Sequence, residues 1–107
     1  MLHPTVHLLG DRSVYRYIIE RDLPGIGSFT AEQLRDVSRT SSAVLRDMGP
    51  GIQWIHSHVT GDRLYCIYLA ESEHLLREHA KRGGFPCTKI TEVVHMIDPT
   101  TPTARIV

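Results

Sequence analysis

The sequence predicts an α+β fold in which a four-stranded antiparallel sheet carries two helices on one face. Residues 51–69 contain two apolar segments joined by Gly61-Asp62, a pair that suits the tight turn of a β-hairpin. Around this hairpin, strand-like and helix-like segments follow in the order strand, helix, strand, strand, helix, strand. The chain has 107 residues, which is the length of one domain.

The elements before the hairpin are a strand and a helix. Residues 14–20 (VYRYIIE) are rich in aromatic and β-branched side chains, as strands are. Thr30 and Gln33 match a capping box, which predicts that a helix begins there, and Gly49-Pro50 ends it. Its apolar stripe has helical spacing and consists of Leu34, Val37, Ser41, Val44, Leu45 and Met48.

The elements after the hairpin are a second helix and a last strand. Ser72 is expected to cap the helix, and Gly83-Gly84 to end it. Its inward stripe is predicted to contain Leu75, Leu76, His79 and Ala80. We expect the last strand at residues 89–97. Residues 1–13 are interpreted as an N-terminal extension with a short edge strand near residues 6–9, residues 14–99 as the domain, and residues 100–107 as a C-terminal tail.

This order of elements is the ferredoxin-like βαββαβ arrangement. Right-handed crossovers place both helices on one face of the sheet and leave the other face bare. Side chains alternate along a strand, so Trp54, His56 and His58 are predicted to share one face, with Tyr65 opposite His58. The other face is more aliphatic, and we expect it to lie under the helices; it is predicted to contain Ile55, Val59, Leu64 and Tyr68.

The face predicted to be bare is apolar and aromatic, which favours a second copy of the chain as its cover. Two sheets packed face to face would form a dimeric α/β barrel. Net charge is zero and no Lys/Arg cluster is present, so nucleic acid and anionic membrane are poor partners. No segment is long and apolar enough to span a bilayer, and no signal peptide is evident, which predicts a cytoplasmic protein.

The strings IQWIHSHVTGDRLYCIYLA, LLREHAKRGGFP and IDPTT, in this order, resemble a small bacterial ferredoxin-like family formerly of unknown function. Its structurally described representative is a streptomycete nickel-binding protein. The resemblance spans about residues 15–101 and implies a dimer that binds nickel, for sequestration, without an established enzymatic activity. The chain departs from the family at His58, where Tyr is commoner, and at Cys87, where Ala is usual. The matching positions are Glu20, Trp54, His56, Ser57, Tyr65, Cys66, Glu78, His79, Gly84, Phe85 and Pro86.

Histidines are the main candidates for metal ligands. His56 and His58 stand two residues apart on one strand, so both imidazoles can approach one cation. Imidazole suits nickel, zinc and copper alike. The alternative is that both are buried, hydrogen-bonded histidines. His79 is a third candidate, as a metal ligand or a general acid/base, unless it caps the carbonyl groups at its helix end.

Trp54, Tyr65, Cys66 and Glu20 are further candidates for a pocket. Cys66 is either a nucleophile or a small buried hydrophobe, and no disulfide with Cys87 is expected. Glu20 is either a ligand or an ion-pair partner of a nearby arginine.

The first functional hypothesis is therefore a dimeric nickel-binding protein. The alternatives are a small-molecule enzyme resembling a cyclase, isomerase or oxygenase, or a dimer without a ligand. The enzyme would use a pocket of Trp54, His56, Tyr65 and His79, which would suit an aromatic or polyketide-like substrate.

Overall fold

The computed structural model describes the backbone of residues 6–8 and 12–103 and the side chains of residues 13–103. Its strands and helices are β1 (Val6–Leu8), β2 (Arg12–Asp22), α1 (Ala31–Met48), β3 (Ile52–Val59), β4 (Arg63–Ala70), α2 (Glu73–Gly83) and β5 (Lys89–Glu92). Short 3-10 turns span Ile26–Ser28 and Thr101–Thr103. Within the described part of the chain, no helix is both long and apolar enough to cross a membrane.

The sheet has the strand order β5-β2-β4-β3, and all of its pairs are antiparallel. The strand β2 is central, because β4 pairs with one of its edges and β5 with the other. Strand β1 pairs with the first residues of β2, on the edge that β5 also uses. The predicted α+β class, antiparallel sheet and two helices are confirmed.

The last strand is shorter than predicted. It ends at Glu92 rather than at residue 97, although the Val93 amide still donates to the Arg16 carbonyl at 2.8 Å. Beyond this point the same edge of β2 is occupied, because β1 pairs with residues 12–14. A strand cannot pair with an edge that another strand already fills, so residues 93–98 leave the sheet.

The helix ends agree with the sequence signals. The Thr30 hydroxyl accepts from the Gln33 amide, and the Gln33 side chain accepts from the Thr30 amide, which completes the capping box. Gly49 follows α1 at φ 85°, a conformation that favours glycine. Ser72 does occupy the N-cap position of α2, but its side chain makes no capping hydrogen bond.

The hairpin has the predicted register, with His58 opposite Tyr65 and His56 opposite Ile67. The register shifts between Trp54 and His56, where Ile55 is an extra residue in β3. Such a bulge reverses the alternation of side chains on either side of it.

The assignment of Trp54 to the bare face is therefore wrong. Trp54 pairs with Tyr68 and lies on the helix-covered face, whereas His56 and His58 lie on the bare one. Ile55, expected under the helices, is 37% exposed.

The core lies between the helices and this covered face of the sheet. Alternate residues of the central strands, Tyr17 and Ile19 in β2 and Cys66 and Tyr68 in β4, are buried there beneath Leu76 of α2. We call the opposite side the open face. The histidine pair lies on the open face, and a separate group of buried polar side chains lies on the covered side.

Candidate functional site

The histidine pair lies on the open face, near the end of the β3–β4 hairpin. The ring centroids of His56 and His58 are 4.9 Å apart and their planes meet at 77°. Both side chains are exposed. Within one copy of the chain the histidines are therefore not buried, and both rings can reach a dissolved cation.

One copy of the chain does not bring the predicted metal ligands together. Among the described residues, no group of three or more His, Cys, Asp or Glu side chains is placed to hold a metal ion. His79 is fully buried on the covered side of the sheet. The three predicted metal ligands are thus not brought together within one chain.

Glu20 and Tyr65 are neighbours on the open face, directly opposite each other on β2 and β4. The Arg63 side chain donates to the Glu20 carboxylate at 2.9 Å and to the Asp22 carboxylate at 2.6 Å. Glu20 is therefore an ion-pair partner, one of the two roles predicted for it. Tyr65 is also opposite His58, so the row His58, Tyr65, Glu20 crosses three adjacent strands.

His79 is a buried link between the two helices. Its Nε2 atom shares a hydrogen bond of 3.1 Å with the Ser41 hydroxyl of α1, and its ring lies between those of Tyr68 and Phe85 at 5.4 and 5.5 Å. Burial, followed by the positive charge of Arg21, lowers the pKa of His79 to about 4. The ring is neutral near pH 7 and does not cap its own helix.

Arg21 is the least expected residue of the covered side, because it is charged and only 2% exposed. Its Nη1 atom donates to the Pro86 carbonyl at 2.7 Å, and its guanidinium carbon lies 5.5 Å from the centre of the Phe85 ring. Its Nη2 atom has no hydrogen-bond partner among the described residues. Burying a donor without a partner costs free energy. This atom is therefore a place where a hydrogen-bond acceptor from a ligand would be favoured.

The Gly-Gly-Phe-Pro segment after α2 positions this cluster. Gly84 adopts φ 70°, which turns the chain back beneath the helix. A Cβ atom on Gly83 would collide with the Phe85 ring, so the glycine lets that ring pack against the helix end. The segment is therefore a turn whose aromatic side chain packs against the end of α2.

A cavity of about 140 Å³ lies between α1 and the covered face. Trp54 and Cys66 line it, and the Trp54 ring nitrogen donates to the Ser57 hydroxyl at 2.9 Å. His56 and Tyr65 lie on the opposite side of the sheet, so the predicted pocket of Trp54, His56, Tyr65 and His79 does not form within one chain. Cys66 is 3% exposed, as expected of a small buried side chain.

The sequence interpretation missed the role of Arg21, although a signal for it was present. Every second residue of β2 lies on the covered face, as Tyr17 and Ile19 do. The same alternation predicts that Arg21 lies there as well. Ser41 was predicted to face inward, but nothing in the sequence pairs it with His79.

Comparison with known proteins identifies the family. Residues 17–93, well over half of the chain, match the family described as nickel responsive protein SCO4226-like. Among solved structures, the chain is similar to SCO4226 from Streptomyces coelicolor A3(2), with a TM-score of 0.62 and 18% identity over 73% of this chain and 94% of that chain. At this identity the likeness shows the fold alone. No curated protein matches the chain. The chain belongs to the nickel responsive protein SCO4226-like family, as its motifs implied.

Proposed function

We propose that the protein is a homodimer that binds nickel through His56 and His58 and serves to sequester it. The observation that carries this proposal is the pair of exposed imidazoles, whose ring centroids are 4.9 Å apart, on a sheet face that neither α1 nor α2 covers. Membership in a family named for nickel responsiveness selects nickel from the cations that imidazole accepts. Both cysteines are free thiols, which suits a cytoplasmic protein.

A second copy would complete the site. Sheets that pack face to face lie about 10 Å apart, so side chains projecting from both open faces can meet between them. The partner copy can then offer imidazole or carboxylate ligands, and water can fill the remaining positions around the ion. His79 lies behind the sheet and has no part in this proposed site.

Exposed apolar surface supports the proposed dimer. Ile18 and Ile67 are paired neighbours at the centre of the open face, in the row that includes His56. The segment after β5 adds Val94, Met96 and Ile97, which are 42%, 63% and 72% exposed. Large exposed apolar side chains are candidates for burial between protein chains.

Calorimetric titration of the untagged protein with Ni²⁺ tests the metal site. We expect a defined stoichiometry, and a loss of roughly tenfold or more in affinity for His56→Ala and for His58→Ala. His74→Ala and His95→Ala are matched controls on exposed histidines outside the hairpin and should bind as the wild type does. Affinity should fall in acid, because a protonated imidazole cannot coordinate. Wild-type affinity in both hairpin variants would contradict the site.

Sedimentation at micromolar concentration tests the dimer separately. Ile67→Glu places a charge at the centre of the open face and should dissociate the dimer. Ala43→Glu, on the exposed side of α1, is the control and should sediment as the wild type does. A monomeric wild type would contradict the proposed interface.

The alternative, an enzyme that acts on a small molecule, depends on a different observation, the cavity beneath α1. Its volume of about 140 Å³ is well below the ~300–1,000 Å³ of pockets that hold drug-sized ligands. This size argues against a polyketide-like substrate in one chain and favours a much smaller ligand.

A further inference from the structure

The cavity beneath α1 contains a positive charge that pairs with no acidic side chain among the described residues. Arg21 lines the cavity, and a guanidinium group stays protonated in proteins. Within residues 13–103, no ion pair includes Arg21. After burial, the charge of Arg21 is the next cause that lowers the pKa of His79. An anion that entered the cavity would meet a desolvated cation.

Polar groups converge with Arg21 in the cavity. Tyr68 and Ser41 line the cavity together with Arg21. Burial raises the pKa of the Tyr68 phenol and outweighs the lowering effects of Ser41 and Arg21. The phenol therefore remains a neutral donor at ordinary pH. Arg21, whose Nη2 atom has no partner among the described residues, adds a charged donor to the same lining. Two donors of this kind match the oxygen atoms of a carboxylate.

The remaining lining is mostly apolar and limits what else can bind. Its apolar members are Ile26, Leu34, Val37, Trp54, Val59, Leu64, Cys66 and Phe85. At about 140 Å³ the cavity is close in size to the engineered apolar cavity of about 150 Å³ that binds benzene. A ligand must therefore combine one anionic group with a compact apolar body.

We propose that this cavity binds a small monocarboxylate whose apolar body is about the size of a benzene ring, with the carboxylate on Arg21 and Tyr68. The site is separate from the proposed metal site, since the sheet lies between them. Binding of the acid therefore needs neither nickel nor His56.

Benzoate is a suitable probe, and benzyl alcohol is its uncharged counterpart. Trp54 lines the cavity and is the only tryptophan of the chain, so its fluorescence reports on the site directly. Benzoate should change the emission saturably and bind at least roughly tenfold more tightly than benzyl alcohol, the effect of one charge-assisted hydrogen bond. EDTA should leave this titration unchanged.

Three variants test the charge of Arg21 and the volume of the cavity separately. Arg21→Met should remove the preference for benzoate, whereas Arg16→Met, on the open face of the same strand, should retain it. Val37→Phe fills the cavity from α1 and should abolish binding of both probes while Arg21 remains. Even if Arg21→Met does not fold, the wild-type contrast and Val37→Phe decide the question. Equal affinity of the wild type for the two probes, or benzoate binding that survives Val37→Phe, would overturn the proposal.

Discussion

The two faces of the sheet contain similar side chains in opposite surroundings. The covered face buries Arg21 and His79, whereas the open face exposes His56 and pairs Arg63 with two carboxylates. Burial removes water from the polar groups of the covered face, so a protein partner such as Ser41 for His79 matters more there. On the open face, water can satisfy the same groups. Stability should therefore depend on the covered face, and access by dissolved ions on the open one.

The largest contrast is expected between two adjacent isoleucines of β2. Ile19 is fully buried on the covered face, so Ile19→Ala should lower the free energy of unfolding by about 2–5 kcal/mol. Ile18 is half-buried on the open face, and Ile18→Ala should cost less than half as much in the monomer. Urea unfolding measures both values. Equal losses in a monomeric protein would mean that the open face is as well packed as the covered one.

The pH dependence of stability should distinguish the buried histidine from the exposed ones. The pKa of His79 falls from 6.5 to about 4 on folding, so the unfolded chain binds its proton first as pH drops. Stability should fall between pH 6.5 and 4, by up to about 3 kcal/mol from this group. In His79→Leu this part of the pH dependence should disappear. The measurement is the free energy of unfolding of the wild type and of His79→Leu at several pH values between 6.5 and 4.

His56→Leu is the matched control for this experiment, because His56 is exposed on the open face. It should retain the wild-type loss of stability in acid. A wild-type profile in His79→Leu would show that His79 does not gain a proton on unfolding.

A smaller loss is expected from the hydrogen bond between the helices. Ser41→Ala leaves the His79 Nε2 atom without its partner in a dry site, which should cost about 1–3 kcal/mol. Thr40→Ala changes the adjacent, exposed residue of α1 and should have little effect. Thermal unfolding of the two variants compares them, and a neutral Ser41→Ala would indicate that water replaces the hydroxyl.

The smallest effect is expected from an ion pair on the open face. Glu20→Gln removes one of the two carboxylates of Arg63, but this pair is partly exposed and Asp22 remains. We expect a loss below about 1 kcal/mol that shrinks further in high salt. Urea unfolding at low and high ionic strength measures it. A loss as large as that of Ser41→Ala would remove the distinction between the two faces.

Local sequence signals predicted most of the elements correctly. The capping box at Thr30 and Gln33 acts between residues three apart, and the stripes of α1 and α2 depend only on helical spacing. The register of the hairpin follows from its short turn, which set His58 opposite Tyr65. That His56 and His58 share one face could be predicted for the same reason, since both residues lie on one strand.

Contacts between distant segments decided the rest. The bulge at Ile55 moved Trp54 to the covered face, and β1 occupied the edge that the end of β5 would have needed. Arg21 became a buried cation because the segment after α2 folds back over it, with Pro86, 65 residues away, accepting its hydrogen bond. The sequence by itself determined most of the elements and the placement of both histidines on one strand, because both depend on neighbours along the chain. Only the tertiary structure decided which groups are dry, because burial depends on what packs above them.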